Sequence, residues 1–320
     1  MRLDFLIPVY NEGAGLRSFH AALAAALSSL PYDLRFLYID DGSQDDTATI
    51  LAELARADRR IQPITLSRNF GHQAALSAGL DAAARDAADA VVMLDGDGQH
   101  PPALVPEMVR LFEAGYDVVQ MQRRDSPGPL RFKRTASAAF YGIVNRLGET
   151  QIAKGAADFR LLSRDAVRAL AQMREYHRFY RGLVEWIGFR SVILPYTPAP
   201  RLAGRSKYSL RKMLRLAEDG LFSFSLAPLR LALVIGLLFL ALLAVEIVYV
   251  LSFWIRGTEH ALAPGWSSLM MVLTLSSAIS MLLLGILGFY VGMIFQEVKR
   301  RPVYVVRPEA RADTGRSAPD

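Results

Sequence analysis

Short apolar runs alternate with helix-length segments in the first hundred residues, and this alternation constrains the fold more than any other feature. The four runs cover residues 3–9, 34–39, 61–66 and 90–94. The segments between them with apolar side chains at helical spacing are residues 16–30, 47–57 and 73–88. Strands that alternate with helices of this length are typical of a parallel, doubly wound sheet. The sequence therefore predicts an α/β fold whose ligands bind at the carboxyl ends of the strands.

Polar clusters follow three of the four runs. Their notable members are Pro8, Tyr10 and Glu12 in the first, Asp40 and Asp41 in the second, and Asp95, Asp97 and Gln99 in the third. Two carboxylates that flank one glycine repel each other unless a cation or strong donors offset their charge. Mg²⁺ and Mn²⁺ prefer oxygen ligands of this kind, and the chain has no cysteine for a softer metal. The third cluster therefore indicates a divalent metal site.

Each cluster also has a structural explanation. Asp45 or Asp46 is expected to cap the helix that begins near Thr47, and aspartate turns that contain glycine are common in loops. One Asp-x-Asp sequence is weak evidence, whereas three clusters in order, each at a strand end, are strong evidence. His72 and His100 are expected to support the site or the fold rather than to bind the metal.

Two long apolar segments in the last third of the chain indicate a membrane environment. Residues 231–255 carry one charge, Glu246, and residues 267–295 carry none. Each is long enough to cross a bilayer, and two in tandem argue against a pair of buried core helices. Because the connector, residues 256–265, is short, the sequence predicts a two-helix transmembrane hairpin.

Basic residues flank this hairpin on both sides. They are Arg211, Lys212, Arg215 and Arg230 before it, and Lys299, Arg300, Arg301 and Arg307 after it. The positive-inside rule then places the N-terminal domain in the cytoplasm, and no cleaved signal peptide is expected. Residues 208–228 are predicted to form a basic amphipathic helix in the membrane interface, with a surface helix that faces the core as the alternative.

The net charge of +6 fits an anionic partner. Much of the positive charge borders the apolar segments, where anionic lipid explains it, so no nucleic acid is expected as a partner. A Rossmann dehydrogenase is disfavoured because no Gly-x-Gly-x-x-Gly follows the first strand, and no Walker-type Gly-Lys-Ser/Thr is present.

Three further motifs complete a resemblance to a known family. They are Arg68-Asn69-Phe70-Gly71-His72-Gln73, Ala157-Asp158-Phe159-Arg160-Leu161 and Ala203-Gly204-Arg205-Ser206-Lys207-Tyr208. With the three clusters and the two apolar segments, they make the chain resemble the family-2 glycosyltransferases of the polyprenyl-phosphate branch. Bactoprenol glucosyltransferases and dolichol-phosphate mannose synthases belong to that branch. The resemblance implies a GT-A nucleotide-diphospho-sugar transferase domain with a mostly parallel sheet.

The resemblance also implies roles for individual residues. The nucleotide sugar would contact Pro8, Tyr10, Glu12, Asp41, Asp95 and Gln99. The metal, Mg²⁺ or Mn²⁺, would be coordinated by Asp95, Asp97 and Gln99. The acceptor phosphate would be bound by Arg131, Arg134, Arg201 and Lys207, with residues 177–181 as a further basic candidate. The expected catalytic residues are Asp97, which acts through the metal, and Asp158.

Asp158 is the family's candidate general base. The implied acceptor is a phosphate monoester with a second pKa of about 6, so at pH 7 most of it is already a nucleophilic anion. Help from a base should therefore matter less than it does for a sugar hydroxyl. Asp158 could instead orient a basic residue or a donor hydroxyl, or form a structural ion pair with a nearby arginine.

The implied activity is an inverting transfer of a hexose, with glucose from UDP-glucose favoured, to undecaprenyl or another polyprenyl phosphate. A GDP-mannose-dependent synthase and a UDP-aminosugar transferase of lipid A modification are the alternatives. A processive polysaccharide synthase lacks support because its Gln-x-x-Arg-Trp type motif is absent. A catalytically silent binding protein is disfavoured by the intact pair of Asp95 and Asp97.

We expect four regions in this chain. These are a cytoplasmic catalytic domain at 1–207, a juxtamembrane segment at 208–228, a transmembrane pair at 229–298 and a cytoplasmic tail at 299–320. The expected location is the inner (cytoplasmic) membrane as a multi-pass protein. The resemblance to the family also implies a homo-oligomer, either a dimer or a tetramer.

Overall fold

The computed structural model describes residues 1–124, 156–176, 178–198, 227–256 and 265–308. The α/β region consists of β1 (Arg2–Val9), α1 (Gly13–Leu27), β2 (Asp33–Asp40), α2 (Thr47–Ala57), β3 (Ile61–Thr65), α3 (His72–Arg85), β4 (Ala90–Met93), a 3-10 turn (Pro102–Leu104), α4 (Val105–Glu113), β5 (Val118–Arg123), β6 (Ala156–Ser163), α5 (Arg164–Gln172), α6 (Tyr180–Trp186) and β7 (Ser191–Tyr196). Two long helices follow, α7 (Ala227–Ile255) and α8 (Trp266–Val298).

One seven-stranded sheet carries the fold, in the order β3-β2-β1-β4-β6-β5-β7. β6 runs antiparallel to both of its neighbours, β4 and β5, and the other neighbouring pairs are parallel. The prediction of a mostly parallel sheet is confirmed, with β6 as the exception that makes the sheet mixed. The four predicted strands and the three helices between them are present, with boundaries shifted by a few residues.

Helices cover both faces of the sheet, as the doubly wound prediction requires. Alternate side chains of β1 point to opposite faces, so Phe5 and Ile7 enter one apolar core and Leu6 enters the other. The first core contains residues of α1, α2 and α4, and the second contains residues of α3, α5 and α6. Almost every residue of β1 is buried, as is typical of a parallel strand covered on both sides.

The C-terminal part of the chain is helical where the long apolar segments were predicted. Among the described residues, one stretch, Leu275–Val298 of α8, is long and apolar enough to cross a membrane. The large apolar side chains described on α7 and α8 are mostly exposed to the surroundings of the protein. The predicted amphipathic segment lies outside the described residues, except for its last two positions, which begin α7.

After α8 the chain returns to the α/β domain. Leu66 forms an antiparallel bridge with Val306, and the Ser67 N–H donates to the Val305 carbonyl at 2.8 Å. The Tyr304 hydroxyl donates to Asp81 Oδ2 of α3 at 2.7 Å. Nothing in the sequence pattern predicted this contact between the tail and the sheet.

Candidate functional site

The ends of β1, β2 and β4 meet at one edge of the sheet because the three strands are parallel neighbours. Gly96 lets the third polar cluster approach the first closely. A Cβ atom at this position would lie 2.7 Å from Val9 Cγ1 and 3.4 Å from the Pro8 carbonyl oxygen. A larger residue between Asp95 and Asp97 would therefore push the two clusters apart.

The first two clusters are joined by hydrogen bonds. The Asn11 N–H donates to Ser43 Oγ at 2.9 Å, and the Gln44 N–H donates to Asn11 Oδ1 at 2.8 Å. The Glu12 N–H donates to Thr47 Oγ1 at 3.1 Å. The predicted nucleotide-binding residues Pro8, Tyr10 and Glu12 therefore lie beside the cluster that contains Asp41, with Tyr10 and Glu12 half-buried.

The predicted helix cap is confirmed at Asp45. Its Oδ1 accepts the N–H of Thr47 at 3.1 Å, and its Oδ2 accepts the N–H of Gly13 at 3.2 Å. Asp46 precedes the helix directly but makes no capping hydrogen bond through its side chain. Asp45 thus ties the starts of α1 and α2 together and has a structural role.

Asp41 is buried and holds the loop that precedes α3. Its two carboxylate oxygens accept the N–H groups of Phe70 and Gly71 at 2.8 and 2.9 Å. Burial raises the pKa of Asp41, and these two hydrogen bonds oppose that shift in part. Since each carboxylate oxygen can accept more than one hydrogen bond, the two bonds do not use the full acceptor capacity of Asp41.

The third cluster places Asp95, Asp97 and Gln99 in a half-buried turn. Asp97 Oδ1 accepts the N–H of Gln99 at 3.0 Å. His100 is buried and stacks on Phe159 with the ring centres 4.9 Å apart. Its Nδ1 accepts the Asp95 N–H at 2.9 Å, so in the neutral ring the proton is on Nε2, 3.7 Å from Asp95 Oδ2. His100 therefore holds the backbone of Asp95 in place, in agreement with its predicted supporting role.

Asp158 reaches the same edge because β6 runs against β4. Met93 at the end of β4 is opposite Arg160, so the beginning of β6 lies beside the residues that follow β4. Asp158 is almost fully buried at 3% exposure and faces three basic groups. Arg160 donates to its Oδ1 at 2.9 Å, Arg181 donates to its Oδ2 at 2.9 Å, and His72 Nε2 lies 3.3 Å from its Oδ2.

These neighbours set the protonation of the cluster. Burial alone would raise the pKa of Asp158, but Arg181, His72 and Arg160 together hold it well below its ordinary value. Desolvation lowers the pKa of His72, and the hydrogen bond to Asp158 with the charge of Asp95 outweighs it, so the net shift is upward. A general base works best when its pKa is near the working pH, and Asp158 is far from that condition.

A network of buried hydrogen bonds holds the residues around Asp158 in place. Arg160 has no exposed surface and donates to the carbonyl oxygens of Tyr180 at 3.2 Å and Ala157 at 3.1 Å. The Tyr180 hydroxyl donates to Ser77 Oγ at 2.9 Å, and its N–H donates to Gln73 Oε1 at 3.3 Å. Residues of β6, α6 and α3 are thus fixed relative to one another around the carboxylate.

The site has suitable donors for a metal without a complete set of ligands. Within the described part of the chain, no group of three or more histidine, aspartate and glutamate side chains is arranged to hold a metal ion. Asp95, Asp97 and Gln99 nevertheless present half-buried oxygen donors. A hard cation bound there would take its remaining ligands from phosphate oxygens and water, which suits Mg²⁺ and Mn²⁺.

The predicted acceptor-binding residues cannot be compared with the structure. Arg131, Arg134, Arg201 and Lys207 all lie outside the described residues, and so does His177. Within the basic segment 177–181, Arg181 contacts Asp158 and is a site residue. The sequence did not predict that His72 and Arg181 contact Asp158. Both residues nevertheless lie in segments that were singled out from the sequence.

The chain also matches known proteins. Residues 4–171 match the family described as Glycosyl transferase family 2. The uncharacterized glycosyltransferase YkcC of Bacillus subtilis (strain 168) is 37% identical over 309 residues, which cover 96% of this chain and 94% of the relative. The SfII prophage-derived bactoprenol glucosyl transferase of Shigella flexneri is 32% identical over 317 residues, or 98% and 100% of the two chains.

Among solved structures, mannosyl-3-phosphoglycerate synthase from Rubrobacter xylanophilus aligns with a TM-score of 0.46 at 17% identity, over 68% of this chain and 71% of that one. The family match covers more than half of the chain and contains most of β1, all of β2 to β6 and the three polar clusters. The resemblance drawn from the motifs is confirmed, and the chain belongs to glycosyl transferase family 2, the nucleotide-sugar-dependent glycosyltransferases.

Proposed function

We propose that the protein moves a hexose from a nucleoside diphosphate sugar to a polyprenyl phosphate at the cytoplasmic face of a membrane, with inversion at the anomeric carbon. One observation carries the proposal: the likeness to a bactoprenol glucosyl transferase extends over 98% of this chain, well beyond the family-2 region. The shared part therefore includes α7 and α8 as well as the sheet.

The donor would bind across the ends of β1, β2 and β4. Pro8, Tyr10 and Glu12 would contact the nucleoside, and Asp41 would accept an N–H from the base edge. Asp95 and Gln99 would lie against the diphosphate. A uracil or a guanine fits this arrangement, since each offers an N–H to a carboxylate.

Asp95, Asp97 and Gln99 would hold Mg²⁺ or Mn²⁺ together with the diphosphate oxygens. Such an ion supplies Lewis-acid stabilisation of the departing nucleotide. Loss of Asp97 should affect transfer most directly, because its half-buried carboxylate belongs to the proposed metal pair.

We infer that Asp158 is a positioning residue rather than a base. Its carboxylate holds the Arg181 guanidinium at 2.9 Å and His72 Nε2 at 3.3 Å, and His72 Nε2 also lies 3.9 Å from Asp95 Oδ1. The acceptor phosphate is already mostly ionised at pH 7, so no strong base is required. A fixed anion that orients cations fits this chemistry, and Arg131, Arg134, Arg201 and Lys207 would supply the other phosphate contacts.

The membrane arrangement follows from the same proposal. Residues 1–207 would form the cytoplasmic catalytic domain, 208–228 an interfacial helix, 229–298 two spans of the inner membrane, and 299–320 a cytoplasmic tail. A homo-oligomer in the membrane agrees with the exposed apolar faces of α7 and α8. A polyprenyl phosphate, confined to the bilayer with its charge at the surface, would meet the catalytic domain there.

The decisive experiment is a transfer assay with the purified full chain. UDP-glucose, GDP-mannose and a UDP-aminosugar are each offered with polyprenyl phosphate and Mg²⁺ or Mn²⁺. Mass spectrometry detects the glycolipid, and NMR determines its anomeric configuration. We expect a product with UDP-glucose, lost on chelation of the metal. A product only from GDP-mannose or the aminosugar would change the donor, and no glycolipid from any donor would overturn the proposal.

The metal assignment has its own matched pair of variants. Asp97→Ala should abolish transfer while the protein remains folded. Asp33 is an exposed aspartate at the amino end of β2, away from the candidate site, so Asp33→Ala should leave transfer unchanged. Normal transfer by Asp97→Ala would refute the assignment of Asp97 to the metal.

A further inference from the structure

The backbone after α8 pairs with the end of β3, an edge strand of the sheet in the described part of the chain. β3 is the last strand on its side of the sheet, and edge strands present N–H and C=O groups without a strand partner. The Arg307 N–H donates to the Thr65 carbonyl at 2.7 Å, and the Ser67 N–H donates to the Val305 carbonyl at 2.8 Å. The C-terminal segment thus pairs with the end of β3, directly before the loop that leads to α3.

A side chain anchors the same segment to α3. The Tyr304 ring packs against the second apolar core, and its hydroxyl donates to Asp81 Oδ2 at 2.7 Å. Burial and the neighbouring Asp81 carboxylate raise the pKa of Tyr304, so the hydroxyl stays a donor at neutral pH. Asp81 belongs to the helix whose first residue is His72.

The end of α8 makes a second connection. Glu297 Oε1 accepts the N–H of Tyr176 at 2.7 Å. Tyr176 lies in the short stretch between α5 and α6, four residues before Tyr180 and five before Arg181. The last turn of α8 is therefore bonded to the stretch that delivers Arg181 to Asp158.

Both connections lead into the candidate site. β3 continues into residues 67–71, whose Phe70 and Gly71 amides bind Asp41, and the Tyr176 stretch continues to Arg181. We propose that residues 297–307, which we call the C-terminal clamp, fix the position and orientation of the candidate site relative to α8. Tyr304 and Glu297 are then positioning residues for the lipid acceptor. This inference rests on the proposed function.

The physical reason lies in the acceptor. A long-chain lipid phosphate is confined to the bilayer surface, so the protein must bring its site to the phosphate. A domain joined to its anchor only by a flexible connection would present the site in many orientations, and few would be productive. A misplacement of about 1 Å can cost about 100-fold in rate. A short, water-soluble phosphate reaches the site by diffusion and does not need the clamp.

The test compares two acceptors with one set of variants. Glu297→Gln combined with Tyr304→Phe weakens the bond to Tyr176 and removes the one to Asp81, while the tyrosine ring stays in place. Tyr32→Phe is the control. It also removes a tyrosine hydroxyl that donates to a distant acidic residue, Glu113, but this hydrogen bond is exposed and does not involve residues 297–307. Each protein is assayed with undecaprenyl phosphate in phospholipid vesicles and with a short-chain, water-soluble isoprenyl phosphate.

We expect the double variant to raise KM for the vesicle-borne lipid by about fivefold to tenfold, with kcat changed much less, because positioning is impaired. The kinetics with the soluble acceptor should stay at the wild-type level, and the control should match wild type with both. An equal loss with the two acceptors, or no loss with the lipid, would overturn the clamp. Transfer to neither acceptor by the wild-type protein would instead overturn the proposed function.

Hydrogen exchange gives a readout that does not depend on activity. Loss of the clamp should speed amide exchange at residues 65–71 in the full-length protein, whereas β1 should keep its protection. Unchanged exchange at residues 65–71 in the double variant would contradict the clamp even if the lipid KM rose.

Discussion

Two buried carboxylates lie at opposite ends of the sheet, and their surroundings differ. At the amino end, Asp4 of β1 pairs with Arg2 and Arg35, and Arg35 also pairs with Asp86. At the carboxyl end, Asp158 faces three basic groups, Arg160, Arg181 and His72. Burial dominates at Asp4 and raises its pKa, whereas the basic groups dominate at Asp158 and lower its pKa.

This difference distinguishes the structural ion pairs around Asp4 from the candidate functional site around Asp158. At the amino end, Arg2 and Arg35 face Asp4 and Asp86, so two basic groups balance two acidic groups within the protein. At the carboxyl end, three basic groups surround the buried Asp158, and the neighbouring Asp95 and Asp97 are half-buried. Such an arrangement suits a ligand that brings its own negative charge, such as a diphosphate or a phosphate monoester.

Exchange of each buried aspartate for asparagine gives the largest expected contrast. Asp158→Asn should lower the transfer rate by about 100-fold to 1,000-fold, the usual effect of removing one electrostatic group from a catalytic site. Asp4→Asn should leave turnover unchanged while it lowers the free energy of unfolding by about 1–3 kcal/mol, the cost of an impaired buried hydrogen bond.

Initial rates and chemical denaturation of the purified full chain measure both effects. If Asp4→Asn impaired transfer as strongly as Asp158→Asn, the distinction between the two ends would be wrong.

A smaller effect is expected from Arg181. Arg181→Lys keeps the positive charge but loses the planar group that contacts Asp158 at 2.9 and 3.4 Å. We expect a fall in kcat/KM of about tenfold, since a lysine does not reproduce a two-point contact. Arg164→Lys at the amino end, where Arg164 pairs with Asp89, is the matched control and should leave kcat/KM unchanged. Equal kinetics for the two variants would remove Arg181 from the site.

The two carboxylates should also respond to pH with opposite signs. The depressed pKa of Asp158 gives stability that is present above the unfolded pKa of about 4 and is lost as the pH falls through the folded value. The raised pKa of Asp4 gives a contribution that is present below about pH 4 and is lost as the pH rises through the folded value.

Apparent melting temperatures from pH 3 to 7 test this expectation. The gap between wild type and Asp158→Asn should narrow toward acid pH, and the gap for Asp4→Asn should narrow toward neutral pH. Parallel pH profiles for the two variants would contradict the assigned shifts.

The sequence predicted the parts of the site that follow parallel strands. Apolar runs and the aspartates after them are local patterns, so the clusters at Asp41 and Asp95 could be placed at strand ends without a structure. Asp158 could be placed only by its resemblance to a family motif. Its position depends on β6 running against β4, and strand direction is a long-range property that no local pattern carries.

The clamp was missed for a related reason. Residues 302–307 are few, and they carry no periodic pattern that would predict a strand. Their pairing with Thr65 and Ser67 depends on where α8 ends in space. The arginines around Asp158 were found only in part, because arginine side chains are usually solvated and burial such as that of Arg160 is not visible in the sequence.

Asp45 shows that a place at the carboxyl edge does not by itself make a residue part of the site, and it gives the smallest expected effect. Asp45→Ala removes the hydrogen bonds to the Thr47 and Gly13 amides and should destabilise the protein by about 1 kcal/mol, as for a typical helix cap. Asp46→Ala, beside it but without a capping bond, should change stability less. Transfer rates of both variants, measured below their melting temperatures, should equal that of the wild type. A large loss of transfer in Asp45→Ala at full stability would place Asp45 among the donor-binding residues instead.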